Sequence, residues 1–276
     1  MTNISEIPFC MMYKYLSLLF IFCCLIENIS AFDDLSFSDV RSKGLGDAGI
    51  AFEGFANPAG LSFSNRGTLS ASYENRFGLK ELSGITLTGM YPNSILNVGI
   101  CFTRFGYEDY NRNLVGLSVC RKLSSNFSLG IRFDYFGVYI ADSDGVISAF
   151  TADAGLQWKP HRYLLLGFSI ENPVFASFNT GKKIPTVFKA GVQYLIASTI
   201  LLTCELNETL RSGVICKIGA EYSPSENLFF RLGMSGKPFT PTFGLGYSLK
   251  NTDFDLFIRN HARLGVISGV ELSYKF

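Results

Sequence analysis

The chain has 276 residues, a net charge of +1 and 47 % hydrophobic residues. Lys and Arg are scattered rather than clustered, which excludes a basic nucleic-acid surface and removes nucleic acid from the expected partners. One Trp and two His leave few groups for base or metal chemistry, whereas 27 Gly, 26 Phe and 13 Tyr suit a curved sheet with aromatic girdles.

At the start of the chain, Lys14 precedes the apolar run YLSLLFIFCCLI (Tyr15–Ile26), and ENISA and a polar segment follow. A positive start, a short apolar core and a closing small residue read as a secretory signal peptide over residues 1–31, cleaved after Ala31. The run is too short to cross a bilayer as a helix. Cys10, Cys23 and Cys24 fall in this leader, where no lipobox-like run precedes them. Cys101, Cys120, Cys204 and Cys216 fit no zinc spacing. They read as small hydrophobes, with a Cys204–Cys216 disulfide across a hairpin as the alternative.

The next segment, residues 32–65, contains EGFANPAGLSF (Glu53–Phe63). Pro58 fixes one dihedral and drives Asn57 out of the helical region. Ala59 and Gly60 allow close approach to another backbone. The turn Asn57, Pro58, Ala59, Gly60 is therefore expected to lie against a wall built by the residues that follow.

Residues 66–276 repeat a period-two pattern in segments of about ten residues. In FSLGIRFDYF, Phe127, Leu129, Ile131, Phe133 and Tyr135 share one face, and Ser128, Gly130, Arg132 and Asp134 share the other. About 14 such segments can be counted, an even number as bacterial barrels require. They start near residues 67, 81, 95, 111, 126, 146, 162, 185, 198, 212, 227, 239, 252 and 266. Tight connections such as YPNS and LSSN alternate with longer ones such as GYEDYNR and the run from Glu171 to Pro185. A soluble sandwich would use shorter strands and would not show so much apolar surface. The expected fold is all-β: a transmembrane antiparallel β-barrel of about 14 strands with an N-terminal plug segment in the lumen. The apolar face then meets outer-membrane lipid. The lumen takes the charges Arg132, Asp134, Asp153, Lys189, Glu205, Lys217, Glu221, Arg231, Asp255, Arg259 and Glu271. Nearly every strand also carries an inward Gly, among them Gly99, Gly130, Gly155, Gly191 and Gly246, which marks bending or something packed inside. The chain ends VELSYKF, with Val270, Leu272, Tyr274 and Phe276 alternating. This is the pattern expected of an insertion signal read by the outer-membrane assembly machinery.

Three stretches carry a family resemblance: VRSKGLGDAGIAFEGFANPAGLSF (Val40–Phe63), LGFSIENP…IPTVFKAGVQY (Leu166–Tyr194) and LGVISGVELSYKF (Leu264–Phe276). Their order resembles the PorV/PorQ family of outer-membrane barrels, within the FadL-like group. The resemblance implies a fourteen-stranded barrel with its N-terminal segment in the lumen. It also implies one of two roles: a secretion-associated (type IX-like) or structural partner barrel, with secretion-system components as partners, or a FadL-like channel for small hydrophobic molecules. An unrelated small porin is a further alternative. Short loops favour the partner barrel. A transport barrel is expected to show a kinked wall strand beside the plug, and unbroken walls with a charge-crossed lumen would argue against it.

Catalytic chemistry is not expected. His161 and His261 lie in polar turns without Ser or Asp partners at a recognisable spacing. Asp142 and Asp144 form at most half a calcium loop. GLGDAG near Gly44 follows no strand. No cofactor or metal is expected.

Overall fold

A computed structural model describes residues 37–141, 145–210, 213–236, 239–261 and 263–276. The expected signal peptide and the Asp142–Asp144 turn lie outside these residues. Fourteen strands follow one another around a closed barrel. They are β1 (Thr68–Arg76), β2 (Ser83–Tyr91), β3 (Asn97–Gly106), β4 (Tyr110–Lys122), β5 (Phe127–Ile140), β6 (Ile147–His161) and β7 (Leu164–Glu171). The second half holds β8 (Val187–Ala197), β9 (Ile200–Thr209), β10 (Gly213–Ser225), β11 (Leu228–Ser235), β12 (Thr240–Leu249), β13 (Thr252–His261) and β14 (Gly265–Lys275). Each strand pairs antiparallel with its neighbours, and β1 closes on β14 from Thr68↔Lys275 to Arg76↔Ile267. Closure removes the unpaired strand edges that a lipid environment does not tolerate.

The alternation is inside-out relative to a soluble protein. On β5, Phe133 is 58 % exposed while Arg132 is 1 % exposed. Apolar side chains face outward on every strand because a bilayer, not water, is the solvent that accepts them. One rim carries the tight turns and an outward belt that includes Tyr91, Trp158, Tyr194, Tyr222, Tyr247 and Tyr274. Amphipathic rings of this kind sit at a membrane–water interface. The opposite rim carries the longer connections, including residues 172–186.

The ladders are continuous across the wall. Register shifts fall between Trp158 and His161, Leu195 and Ala197, and Tyr222 and Ser225, all beside the turn rim. Cys204 stands opposite Ile218 and Cys216 opposite Leu206, so the two sulfurs are offset in register rather than facing.

Residues 37–66 lie inside the barrel. They form one short helix, α1 (Val40–Gly44), and a 3-10 turn at Pro58–Ser62. Asp39 caps α1, its Oδ1 accepting from the Ser42 backbone N–H at 2.6 Å. Gly46 and Asp47 then take positive φ of 74° and 61°, which reverses the chain and lets Asp47 N–H return to the Ser42 carbonyl at 2.8 Å.

Candidate functional site

The plug is seated on a track of glycines. A Cβ placed on Gly130 would fall 2.4 Å from the Pro58 carbonyl, and one on Gly155 2.0 Å from Asn57 Oδ1. On Gly167 it would meet the Ile50 carbonyl at 2.2 Å, and on Gly219 the Leu45 carbonyl at 2.6 Å. Gly130 and Gly155 are directly opposed in register, as are Gly167 and Gly191, and Gly219 and Gly233. These pairs bring the plug backbone down onto the wall backbone. Of the glycines named for this role, Gly246 does otherwise: its space is taken by Arg231 and Asp255, and Gly244 meets Gly44 instead. Gly60 also differs from expectation. It does not face the wall; a Cβ there would strike the plug's own Gly54 and Phe52 carbonyls. The turn is therefore folded back on the plug at Gly60 and pressed on the barrel at Asn57, Pro58 and Ala59.

Asn57 is fully buried and extended at φ −119°, ψ 124°, as the following proline requires. Its Oδ1 accepts from Ala59 N–H at 3.0 Å. Its Nδ2 donates to the carbonyls of Ile50 (3.0 Å), Leu156 (3.1 Å) and Phe168 (3.4 Å), lying flat on the β6–β7 ladder. Wall side chains satisfy other plug carbonyls: Asn97 binds Leu61 at 2.7 Å, Gln157 binds Phe52 at 2.7 Å and Arg132 binds Phe55 at 2.7 Å. An irregular buried backbone needs such partners, because each orphaned polar group costs about 1–3 kcal/mol.

The predicted lumen charges come together in three clusters, and Lys189, Arg259 and Glu271 find separate partners. Arg132 pairs with Asp134 (3.0 Å) and Asp153 (2.5 Å) and stacks on Phe37 at 4.8 Å. Glu221 bridges Arg41 of the plug (2.7 Å) and Arg231 (2.6 Å), which also binds Asp255. Lys217 pairs with Glu205 at 3.3 Å and donates to the Asp47 carbonyl at 3.1 Å. Glu205 in turn accepts the Ile50 backbone N–H at 2.8 Å. Lys189 pairs with Glu171 at 2.7 Å. Arg259 binds Asp47, and Glu271 accepts the Val40 N–H at 3.1 Å. In the plug, burial alone would push the Asp47 carboxyl up, but Arg259, Lys217 and Lys43 outweigh it and hold it below the usual carboxylate range. The Arg41 guanidinium is disfavoured by its burial, yet Glu221 more than compensates and raises its pKa.

Sequence reasoning missed Arg41, Lys43 and Glu74. Lys43 reaches Glu74 at 2.6 Å, and Arg76 holds the other Glu74 oxygen at 2.7 Å. An ionisable residue at an inward position of β1 was the available signal for Glu74. Asn172 was missed as well. It is buried with φ 50°, accepts from Thr151 and Ala176, and donates to the Ile184 carbonyl at 2.9 Å. It folds residues 172–186 over the lumen, where Phe178 and Ile184 pack with Phe37, Cys101, Leu114, Phe136 and Ala149. The loop-rim end of the lumen is thus apolar along β3–β6.

On the outside, the same wall carries an apolar recess of about 610 Å³ spanning β5–β10. Leu129, Ala154, Phe168, Phe188, Ala190 and Leu206 line it, and it reaches the wall backbone at Gly155, Ser169 and Lys189. On the inner side of that backbone lie Asn57 and Ile50.

Val270, Leu272, Tyr274 and Phe276 point outward and are exposed. Phe276 N–H donates to the Gly67 carbonyl at 2.9 Å, and its ring covers Gly67, fastening the chain end beside β1. His161 and His261 sit at opposite rims, against Tyr163 and Phe77 respectively, and do not converge.

No family model matches this chain, and no curated protein matches it in sequence. Solved structures do. The CymD monoaromatic hydrocarbon channel superposes with a TM-score of 0.66 at 13 % identity, over 89 % of this chain and 99 % of the other. The toluene transporter TodX of P. putida gives 0.65 at 12 % identity, over 88 % and 99 %. A Pseudomonas aeruginosa FadL homologue gives 0.61 at 12 % identity, over 86 % and 98 %. The fold is that of FadL-like outer-membrane barrels.

Proposed function

We propose that this chain is an outer-membrane channel for small hydrophobic molecules of the FadL-like kind, held closed by its plug. The observation that carries this reading is the apolar recess in the lipid face. Only the wall backbone at Gly155 separates it from Asn57 of the plug. An apolar molecule entering under the loop 172–186 would meet Phe178, Phe136 and Leu114, and would leave sideways into lipid through the recess. Barrels of the same fold named as a toluene transporter and a monoaromatic hydrocarbon channel support the substrate class. The β6–β7 ladder is continuous here, so passage requires the Leu156–Phe168 pairing to part as Asn57 releases those carbonyls.

The protein is placed in the outer membrane of a diderm bacterium, with its turns in the periplasm, its loops outside, and the strand ending in Phe276 read by the assembly machinery. In this reading residues 1–31 supply export, and the described part of the 32–65 segment is the plug. The reading as a non-transporting PorV/PorQ-type partner of a secretion system is the second one. The plug's ion pairs with the wall and the unbroken ladders favour it.

Uptake of toluene or a fluorescent fatty acid by cells that lack such a channel of their own tests the first reading. The wild-type chain should speed entry, and Ala154→Trp, which fills the recess from the lipid side, should slow it several-fold with the barrel intact. No entry above background, with secretion components recovered on the protein from native membranes, would transfer the assignment to the second reading.

A further inference from the structure

The turn rim carries its charge unevenly. From β3 to β9 its connections are residues 123–126, 162–163 and 198–199, and none of them holds a carboxylate. Two of these turns are neighbours in the wall and are flanked by cations. Arg121 and Lys122 precede the first; Lys159 precedes the second, and Arg162 lies within it. The Lys159 N–H donates to the Asn126 carbonyl at 2.7 Å, which joins the two turns. Arg121, Lys122 and Arg162 are exposed, and Lys159 is half-buried. The acids near this rim, Glu226 and Asp253, lie outside this span, at the β10–β11 turn and on β13. Arg162 stacks on Tyr163 at 4.4 Å, a contact that uses the face of the guanidinium and not its N–H edge. Arg121 continues the outward series of β4 after Leu117 and Val119. In register it stands opposite Leu129, Leu129 opposite Leu156, and Leu156 opposite Phe168. The last three line the apolar recess, so the Arg121 stem starts at its β5 margin. Trp158 is exposed two residues nearer the turn rim than Leu156, about 7 Å along the strand. An arginine stem covers that span and carries its charge to the interface.

We propose that this sector of the wall is a binding site for an anionic phospholipid of the turn-side leaflet. Its phosphodiester lies among Arg121, Lys159 and Arg162, and one acyl chain lies in the recess. Cations at a membrane surface favour anionic lipid, and no carboxylate of these turns offsets them. Trp158 and Tyr163 mark the headgroup level at which that charge is read. The recess adds a hold on the chain that a soluble anion cannot use. The site stands apart from transport, because lipid is held here with no substrate present. A molecule leaving through the recess has to displace the chain.

Native mass spectrometry of the refolded full chain, released from detergent containing equal amounts of phosphatidylglycerol and phosphatidylcholine, tests the proposal. Wild-type barrels, verified as folded by heat-shifted mobility, should retain phosphatidylglycerol about fivefold or more over phosphatidylcholine. Arg121→Gln combined with Lys159→Gln and Arg162→Gln should bring the ratio near parity in a barrel that still folds. Lys250→Gln, in the β12–β13 turn, should leave the ratio unchanged. Ala154→Trp fills the recess and should lower retention of both lipids while keeping the preference between them. Inorganic phosphate at the lipid concentration should displace neither. Equal retention of the two lipids by folded wild type, an unchanged ratio in the triple variant, an equal loss in Lys250→Gln, or displacement by phosphate would each overturn the proposal.

Discussion

The arc of wall under the plug and the arc around β1 and β2 share one outer surface and have two different inner ones. Under the plug, from β3 to β12, glycines admit the plug backbone, and buried amides, hydroxyls and ion pairs satisfy it. On the free arc, β1 and β2, Ser70 bonds Thr88 and Thr86 bonds Thr103 of β3. The outer pattern answers to lipid and is uniform; the inner pattern answers to whatever occupies each side of the lumen. Inward composition in a barrel therefore maps the path of the plug.

The largest expected break in this contrast is at Arg132, which is 1 % exposed between two carboxylates. Arg132→Met leaves Asp134 and Asp153 buried without their cation, and should cost about 3–5 kcal/mol in urea unfolding of the refolded barrel. Next comes a pair of glycines. Gly155→Ala drives a methyl into Asn57 and should cost about 1–3 kcal/mol, whereas Gly84→Ala on the free arc should be nearly silent. Equal effects at the two positions would erase the distinction between the arcs. Lys43→Met removes a pair whose side chains are 20 % and 14 % exposed, so its stability effect should be about 1 kcal/mol or less.

The smallest effect is a pH dependence. Asp47 is held below its ordinary value, so its contribution is complete above the unfolded value of about 4 and is lost as pH falls through the lower folded one. Digestion of the plug by an acid-active protease should be unchanged from about pH 7 to 5 and should rise only below about pH 4. Arg259→Gln should weaken that dependence, with Lys217 and Lys43 still acting on Asp47; an unchanged profile would mean that another group controls the plug.

The wall was almost wholly legible in the sequence. Starts expected near 67, 126 and 252 fall at Thr68, Phe127 and Thr252, because alternation over a bilayer-length strand leaves little freedom. The inward glycines pointed correctly to something packed inside. What they could not convey was the plug's route: irregular backbone has no period. So Gly60 reads as a wall contact although it serves the plug, Gly246 reads as a plug contact where Gly244 makes it, and nothing in the loop singles out Asn172. The recess is shaped by side chains of six strands together and is not written in any one residue.

The glycine track also fixes an order in time. Around the wall from β3 to β12, its contacts retreat along the plug from Leu61 through Asn57 and Ile50 to Gly44. Asn97 reaches Leu61 across 36 residues of chain, while Glu271 reaches Val40 across 231. Closing the longer loop costs about 1.6 kcal/mol more in chain entropy. Seating of the plug is thus favoured to begin at the proline turn and to finish at α1, and undocking to begin where seating ends. The belt behaves as a zipper whose loose end is its N-terminus.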